Sequence, residues 1–560
     1  MVMLRIKRAL DLICAGLLLV LWLLVWIPRL KGPIDLRWDA STYYVLGTAL
    51  SEGRGYRLLN EPGNIEAAQY PPLLPLIVAA HQRLMGTTDY VRVGSALRIT
   101  YFLTSGLFVL AAYALVRKLV SPLYALLIVA SATLSFYSFI HPSDILYAEM
   151  PFALVSTLFL LCHKSSDGPF RSVALGCFGS AAYLLRFAGI ALLLAWIIES
   201  LIRRRVGGFA IRTAVSAIPI LIWQAHVGHV TKSDEYRHPF YAYQRASYYY
   251  SNVTYAENGK LIDPFRPEAG RTSLNHLIRR LVSNLRFVPL SLGESALIPS
   301  DFKRRGHSRT TFYLLCACLT AAGLVSVIGA ALVAIGSEWF LSLYFALTIA
   351  IIIVTPWHNQ FWRYFGPIAP LTLAFLGVSL VSMQHWVAER TGKLVQNVTS
   401  FVAACFAAVT LFVQISVANY FLGNLRPVSY YDSAGREKTF HLLTYDRPWH
   451  ALDQAFEWIR RRAAPNTIVA TTVPHLGYLR GGHKAVLPPF EFNPAVATRL
   501  LDEVPVRYLV LDEVIGPQIS QRYAAPLVTQ NPSDWTLVFT AYDNRTRIFE
   551  RARSNTQHDL

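Results

Sequence analysis

The sequence predicts an α-helical polytopic membrane protein with about eleven transmembrane helices and a small C-terminal extracytoplasmic α/β domain. Three observations carry that expectation. Apolar runs near the ~20 residues needed to cross a bilayer recur through residues 1–422. Only 15% of the 560 residues are charged and 54% are hydrophobic, whereas soluble domains carry about a quarter charged residues. From residue 423 to 560 the chain instead alternates helix-like and strand-like segments, the pattern of a small α/β domain.

The apolar runs can be justified in order. Residues 10–27 follow Arg5, Lys7 and Arg8, and Arg29 and Lys31 stand where a small-residue cleavage site would be. The run therefore reads as a retained first helix. A long outer loop, 29–97, leads to spans 99–116 and 122–140, which flank the basic turn Arg117-Lys118. Span 147–162 follows His141-Pro142-Ser143-Asp144. Residues 172–202 are apolar for about thirty residues but are interrupted by Arg186. A single helix of that length would overshoot the bilayer at ~1.5 Å per residue, so two short helices meeting at Arg186-Phe187-Ala188-Gly189 are expected.

Span 211–230 opens a second long loop, 231–309, rich in aromatic and basic residues. Its Tyr248-Tyr249-Tyr250 run reads as interface packing ahead of sugar stacking, with both open. Spans 310–335, 339–355, 365–383 and 398–421 complete the set. Basic residues gather in the short loops, at Arg117-Lys118, Lys164, Arg171, Arg203-Arg204-Arg205, Arg390 and Lys393, as the positive-inside rule requires. An odd number of spans with the N-terminus inside puts the C-terminus outside. The expected setting is a bacterial cytoplasmic membrane, with the lipid bilayer as an obligate partner.

In the C-terminal segment, residues 451–459 and 494–502 read as helices, while 467–473 and 507–512 read as strands. Residues 535–542 and 545–551 form a hairpin turned at Asp543-Asn544. There is no glycine-rich phosphate loop and no nucleophile elbow. The formal charge of +18 belongs to membrane topology, so no nucleic-acid partner is expected. All six cysteines lie in apolar segments, which argues against disulfide or metal chemistry.

The residues suited to chemistry fall on one predicted face. Asp39 lies just past the first span, in Leu36-Arg37-Trp38-Asp39-Ala40-Ser41-Thr42-Tyr43-Tyr44, and the same loop closes on Tyr70-Pro71-Pro72-Leu73. Glu149, Arg186, His358, Arg363 and Tyr364 come from later outer turns. Moving a sugar from a lipid phosphate to a hydroxyl needs a carboxylate to take the proton, cations to hold the departing phosphate, and an apolar groove for the lipid. Asp39 suits the base, Glu149 an acceptor-ordering or cation-sharing acid, and Arg186 and Arg363 the phosphate clamp, because a guanidinium binds phosphate bidentately. Tyr43, Tyr44, Tyr70, His358 and Tyr364 are cavity candidates. No obligatory metal is expected, although Asp39 with Asp35 or Glu149 offers hard oxygen ligands for a divalent cation.

These motifs resemble the GT-C superfamily of polyprenyl-phosphate-sugar-dependent glycosyltransferases, in its protein O-mannosyltransferase and aminoarabinose transferase branch. The likeness covers residues 5–420. Asp39 with Tyr43 or Tyr44 opens the first loop, and Tyr70-Pro71-Pro72-Leu73 closes it. Tyr147-Ala148-Glu149-Met150-Pro151-Phe152 is similar to the second outer motif, and Leu184-Leu185-Arg186-Phe187-Ala188-Gly189 to the arginine-bearing turn. Arg363-Tyr364-Phe365-Gly366-Pro367-Ile368-Ala369-Pro370 resembles the late Arg-Tyr…Pro…Pro element.

The resemblance implies an inverting single displacement, with Asp39 as base and a polyprenyl phosphate as leaving group. The acceptor would be an extracytoplasmic glycan, lipid or protein hydroxyl. Ala40 stands where many O-mannosyltransferases carry a second acid, and Tyr70 where aminoarabinose transferases carry a lysine, so neither enzyme's substrate is inherited. The alternative is a polytopic lipid or sugar transporter or flippase. That class places ionisable or broken helices at mid-membrane in corresponding halves, whereas the charges here gather at one rim.

Overall fold

The computed structural model describes residues 2–163, 169–249, 251–299, 309–391, 393–431, 435–514 and 519–552. Each of the eleven expected spans falls on a helix or a broken pair of helices. Among the described residues, five helices are long and apolar enough to cross a bilayer: Arg8–Arg29, Tyr90–Val116, Val206–Lys232, Arg309–Ile335 and His358–Val387. The expected third span is a pair, Pro122–Leu134 and Phe136–Asp144, bent by 70°. The remaining positions carry shorter apolar helices, including Glu149–Cys162 and Trp339–Ile352.

The thirty-residue apolar stretch breaks where the arginine interrupts it. Pro169–Leu185 ends at Arg186, whose backbone is extended (φ −149°, ψ 138°), and a single turn, Phe187–Gly189, leads into Ile190–Ile202. The turn closes tightly because position 189 lacks a side chain. A Cβ there would lie 2.5 Å from the backbone of Ala182 and Tyr183.

The chain divides into two compact units. The first comprises Met1–Gly32, Ser95–Ile222 and Leu277–Leu425. Its helices approach closely through small residues. Along Arg309–Ile335, a Cβ on Gly323 or Gly329 would lie 1.9 Å from the carbonyl oxygen of Pro289 or Phe375, so these helix backbones touch. Two buried carboxylates in this unit are paired with cations. Asp144 is buried, with Arg98 Nη1 2.8 Å and Arg29 Nη1 3.7 Å from its Oδ1. Glu199 is fully buried and receives His163, Arg203 and Arg212 at 2.6, 3.0 and 2.8 Å. An unpaired buried charge is costly, and each of these carboxylates has more than one cationic partner.

The second unit comprises Pro33–Gly94, Trp223–His276 and Arg426–Leu560. It is built from both long loops as well as the C-terminal segment. Its strands are β1 (Arg426–Tyr431), β2 (Glu437–Leu442), β3 (Ile468–Ala470), β4 (Lys484–Val486), β5 (Val506–Leu511), β6 (Trp535–Thr540) and β7 (Arg547–Arg551). Strands β1 and β2 form a separate antiparallel hairpin. The five-stranded sheet has the order β4-β3-β5-β7-β6, with β3 parallel to β4 and β5, and β7 antiparallel to β5 and β6. The β6–β7 hairpin turns where expected, and Asn544 there has a left-handed backbone (φ 57°).

The loops contribute to the core of this unit. Tyr241, Tyr243 and Tyr249 are buried against Ile468, Val486, Leu509 and Tyr523. Tyr249 Oη donates to the Pro488 carbonyl at 2.6 Å, and Tyr248 stacks on Phe490. The tyrosines read as interface packing are therefore domain core (Tyr250 lies outside the described residues). From the first loop, Asn60 extends the edge of β4: its carbonyl accepts from Ala485 N at 2.8 Å and its amide donates back to Ala485 O at 3.1 Å.

The second loop also holds an element the sequence reading passed over. Leu274–Ala296 is a 23-residue helix lying within what was expected to be loop. Leu274, Ile278, Val282 and Leu285 recur at helical spacing and are exposed along one face.

Candidate functional site

Within the helical unit, three residues expected to carry chemistry meet at one carboxylate. Glu149 opens the Glu149–Cys162 helix and is only 3% exposed. Arg186 reaches it from the break between the two short helices, with Nη1 2.7 Å from Oε1 in an ion pair whose angle falls outside hydrogen-bond geometry. Arg363, from the short helix Phe361–Phe365, donates through Nε to the same oxygen. Two guanidinium groups thus share one carboxylate oxygen, leaving one net positive charge in a nearly closed setting.

Aromatic faces hold both cations. Arg363 lies over the Tyr147 ring at 3.8 Å and Arg186 over Tyr364 at 5.3 Å. Such contacts restrict the guanidinium planes without consuming their hydrogen-bond donors. The Tyr364 hydroxyl donates to Gln360 Oε1 at 3.1 Å, and the Tyr147 carbonyl accepts from Tyr101 Oη at 2.5 Å. Trp362 stacks on Tyr137 at 4.0 Å, with His141 edge-on to Trp362 and Tyr147. Tyr147, Tyr101 and His141 were not read as part of a site. Tyr147 stands within the Tyr-Ala-Glu-Met-Pro motif, and that was its available signal. His358 is exposed and stacks on Phe287 at 4.9 Å.

The other half of the expected constellation belongs to the second unit. Asp39 is the first residue of the helix Asp39–Ser51. Trp38 before it has φ 58° and ψ −136°, a conformation costly for a bulky residue. Trp38 is held there edge-on to Trp449 at 5.2 Å. The turn aims the Asp39 carboxylate toward Tyr70, whose hydroxyl donates to Oδ1 at 3.2 Å. Tyr70 is buried and packs edge-on against Tyr43 at 5.0 Å. Tyr44 is fully buried, with its hydroxyl donating to the Thr88 carbonyl at 2.9 Å, so it supports the loop.

Asp35 is committed elsewhere. Its two oxygens accept from Arg37 N and Nε at 2.9 and 2.8 Å, while Arg37 Nη2 and Nη1 donate to the Leu443 and Thr444 carbonyls at 2.7 and 3.1 Å. An Asp35–Asp39 cation site is therefore not formed. Glu149 is taken up by the two arginines, and among the described residues no cluster of three His, Cys, Asp or Glu side chains could hold a metal ion.

The helical unit, with its span broken at Arg186, and the unit built from loop segments and a C-terminal sheet make a fold that solved structures share over nearly the whole chain. The oligosaccharyltransferase AglB from Archaeoglobus fulgidus, in complex with an inhibitory peptide and a dolichol-phosphate, aligns over 99% of this chain and 75% of its own at 13% identity, TM-score 0.54. The same enzyme tethered to an acceptor peptide containing the NVT sequon aligns over 98% and 74% at 13% identity, TM-score 0.53. ArnT from Cupriavidus metallidurans, bound to undecaprenyl phosphate, aligns over 97% and 98% at 11% identity, TM-score 0.41. No protein-family model and no curated protein sequence matches the chain.

Proposed function

We propose that the chain transfers a sugar from a polyprenyl-phosphate donor to a hydroxyl of an extracytoplasmic acceptor, by inverting single displacement. The observation that carries this reading is the convergence of Arg186 and Arg363 on one buried oxygen of Glu149. Two guanidinium groups held by a single carboxylate form a cationic site one charge short of neutral. The donor's phosphodiester carries the single negative charge that meets that deficit, and bidentate guanidinium geometry suits its oxygens. The solved AglB complex with dolichol-phosphate, which shares the fold, supports a lipid-phosphate ligand.

Asp39 takes the acceptor's proton as its oxygen attacks the anomeric carbon. The C–O bond to phosphate breaks as the new glycosidic bond forms, and the negative charge that develops on the phosphate is met by Arg186 and Arg363. Tyr70, donating to Asp39, fixes the orientation of the carboxylate. Glu149 holds the two guanidiniums in place between turnovers and acts as a positioning residue. No step is routed through a metal.

The test is sugar transfer from radiolabelled polyprenyl-phosphate sugars to envelope acceptors in membranes carrying the chain. Wild type should incorporate label and Asp39→Asn should fall to background while remaining folded and membrane-inserted. Equal incorporation by the two would overturn the assignment of the base, and no incorporation by wild type from any donor in the series would overturn the transferase reading.

A further inference from the structure

The C-terminal unit carries a second cleft, made wholly from its own residues, that the proposed chemistry does not use. It has a volume of about 780 Å³, inside the ~300–1,000 Å³ range of small-molecule sites. The β1–β2 hairpin, the helix Arg447–Arg462 and the end of β6 form its walls. The helix is amphipathic: Trp449, Leu452, Phe456 and Ile459 are buried in the unit's core. Its other face presents His450, Gln454, Glu457, Trp458 and Arg461 to the cleft at helical spacing.

We propose that this cleft binds an oligosaccharide, and that it docks the sugar chain of the acceptor. The occupant follows from the lining. Tyr431, Trp458, Phe539 and Tyr542 supply aromatic surface beside hydroxyl, amide and carboxylate groups. That combination matches a pyranose, which has apolar C–H faces and an edge of hydroxyls. The charges in the cleft are largely matched within the unit. Glu457 pairs with Arg460 at 2.7 Å and Arg461 at 2.5 Å, and Asp453 pairs with Arg480. A strongly charged ligand therefore has little to recruit it.

Tyr542 is the most telling residue. Its side chain is 51% exposed, yet it is tied at both ends. Its backbone N–H donates to Gln454 Oε1 at 3.3 Å and its hydroxyl donates to the Arg447 carbonyl at 3.2 Å. An exposed ring already fixed in orientation loses little entropy when a sugar stacks on it. Trp458, from the helix, also lines the cleft, packed by Phe539 at 5.8 Å and edge-on to Tyr508 at 5.6 Å.

The docking role rests on the transferase reading, but the binding claim does not, and the experiment separates them. Detergent-purified full-length protein is applied to an array of α- and β-linked hexasaccharides of glucose, mannose, galactose, arabinose and N-acetylglucosamine, with a random-peptide array beside it. At least one glycan class should be retained by wild type and equally by Asp39→Asn. Tyr542→Ala and Gln454→Ala, both at exposed positions, should weaken that binding at least tenfold with unchanged thermal midpoints. Retention of no glycan, retention of peptides alone, or wild-type binding by both variants would overturn the proposal. Glycan binding that depends on Tyr542, in a protein that transfers no sugar, would retain the cleft and remove the transferase reading.

Discussion

Arg363 is the residue from which most follows. It shares Glu149 with Arg186 and lies 3.8 Å over the Tyr147 ring. Removing it leaves Glu149 paired with Arg186 alone and takes away the excess positive charge of the cluster. Arg363→Ala should lower the thermal midpoint and reduce kcat/KM for the lipid donor at least tenfold, whereas Arg363→Lys should lie between, keeping charge but losing the planar fork. Transfer kinetics at varied donor concentration check this, and equal rates for all three would contradict the phosphate role.

Two buried groups of the second unit set opposing pH dependences. Burial pushes His475 down to about 3 and Asp512 up to about 6. A depressed histidine contributes stability that is present above its ordinary value near 6.5 and lost as pH falls toward 3. A raised carboxyl contributes stability that is present below about 4 and lost as pH rises through 6. Acidification from pH 7 to 4.5 should therefore be less harmful to His475→Gln than to wild type, and more harmful to Asp512→Asn. Thermal midpoints at the two pH values report the difference, and shifts of the same sign in both variants would contradict it.

At the scale of elements, the break at Arg186 was legible because length and charge disagreed with a single span. The turn's tightness was not, since nothing local to Phe187-Ala188-Gly189 reveals that Gly189 touches the preceding helix. Gly189→Ala places a Cβ 2.5 Å from the Ala182 and Tyr183 backbone. It should reduce transfer activity by shifting Arg186 and lower the midpoint by several degrees. Gly228→Ala meets nothing within 4 Å in the helix Val206–Lys232, so it should be neutral or stabilise by up to ~1 kcal/mol. Thermal unfolding in detergent distinguishes the two. The helix Leu274–Ala296 was missed because its mixed polar and apolar composition hid an apolar face that only the 3.6-residue period reveals.

For the whole molecule, one compact unit gives way to the other between Leu425 and Arg426. What linear reading could not see is that residues 33–94 and 223–276 join the C-terminal unit. Tyr241, Tyr243 and Tyr249 look like membrane-interface residues in isolation, because burial against Leu509 and Tyr523 depends on contacts more than 200 positions away. Likewise, Asp35 looked like a cation ligand until Arg37 and the carbonyls of Leu443 and Thr444 claimed the pair. A fragment of residues 426–560 expressed alone lacks those loop tyrosines and the Asn60 edge. It should show no cooperative thermal unfolding by circular dichroism, and a sharp transition would contradict the composite core.

The central claim is that Arg186 and Arg363 hold the phosphate of a polyprenyl donor. An experimental density map of the protein in lipid nanodiscs saturated with undecaprenyl phosphate tests it most directly. Phosphate density within ion-pair distance of both guanidinium groups, absent from the same map of Arg363→Ala, is the predicted result. Phosphate density seated away from the Glu149 cluster, or unchanged in the variant, would contradict it.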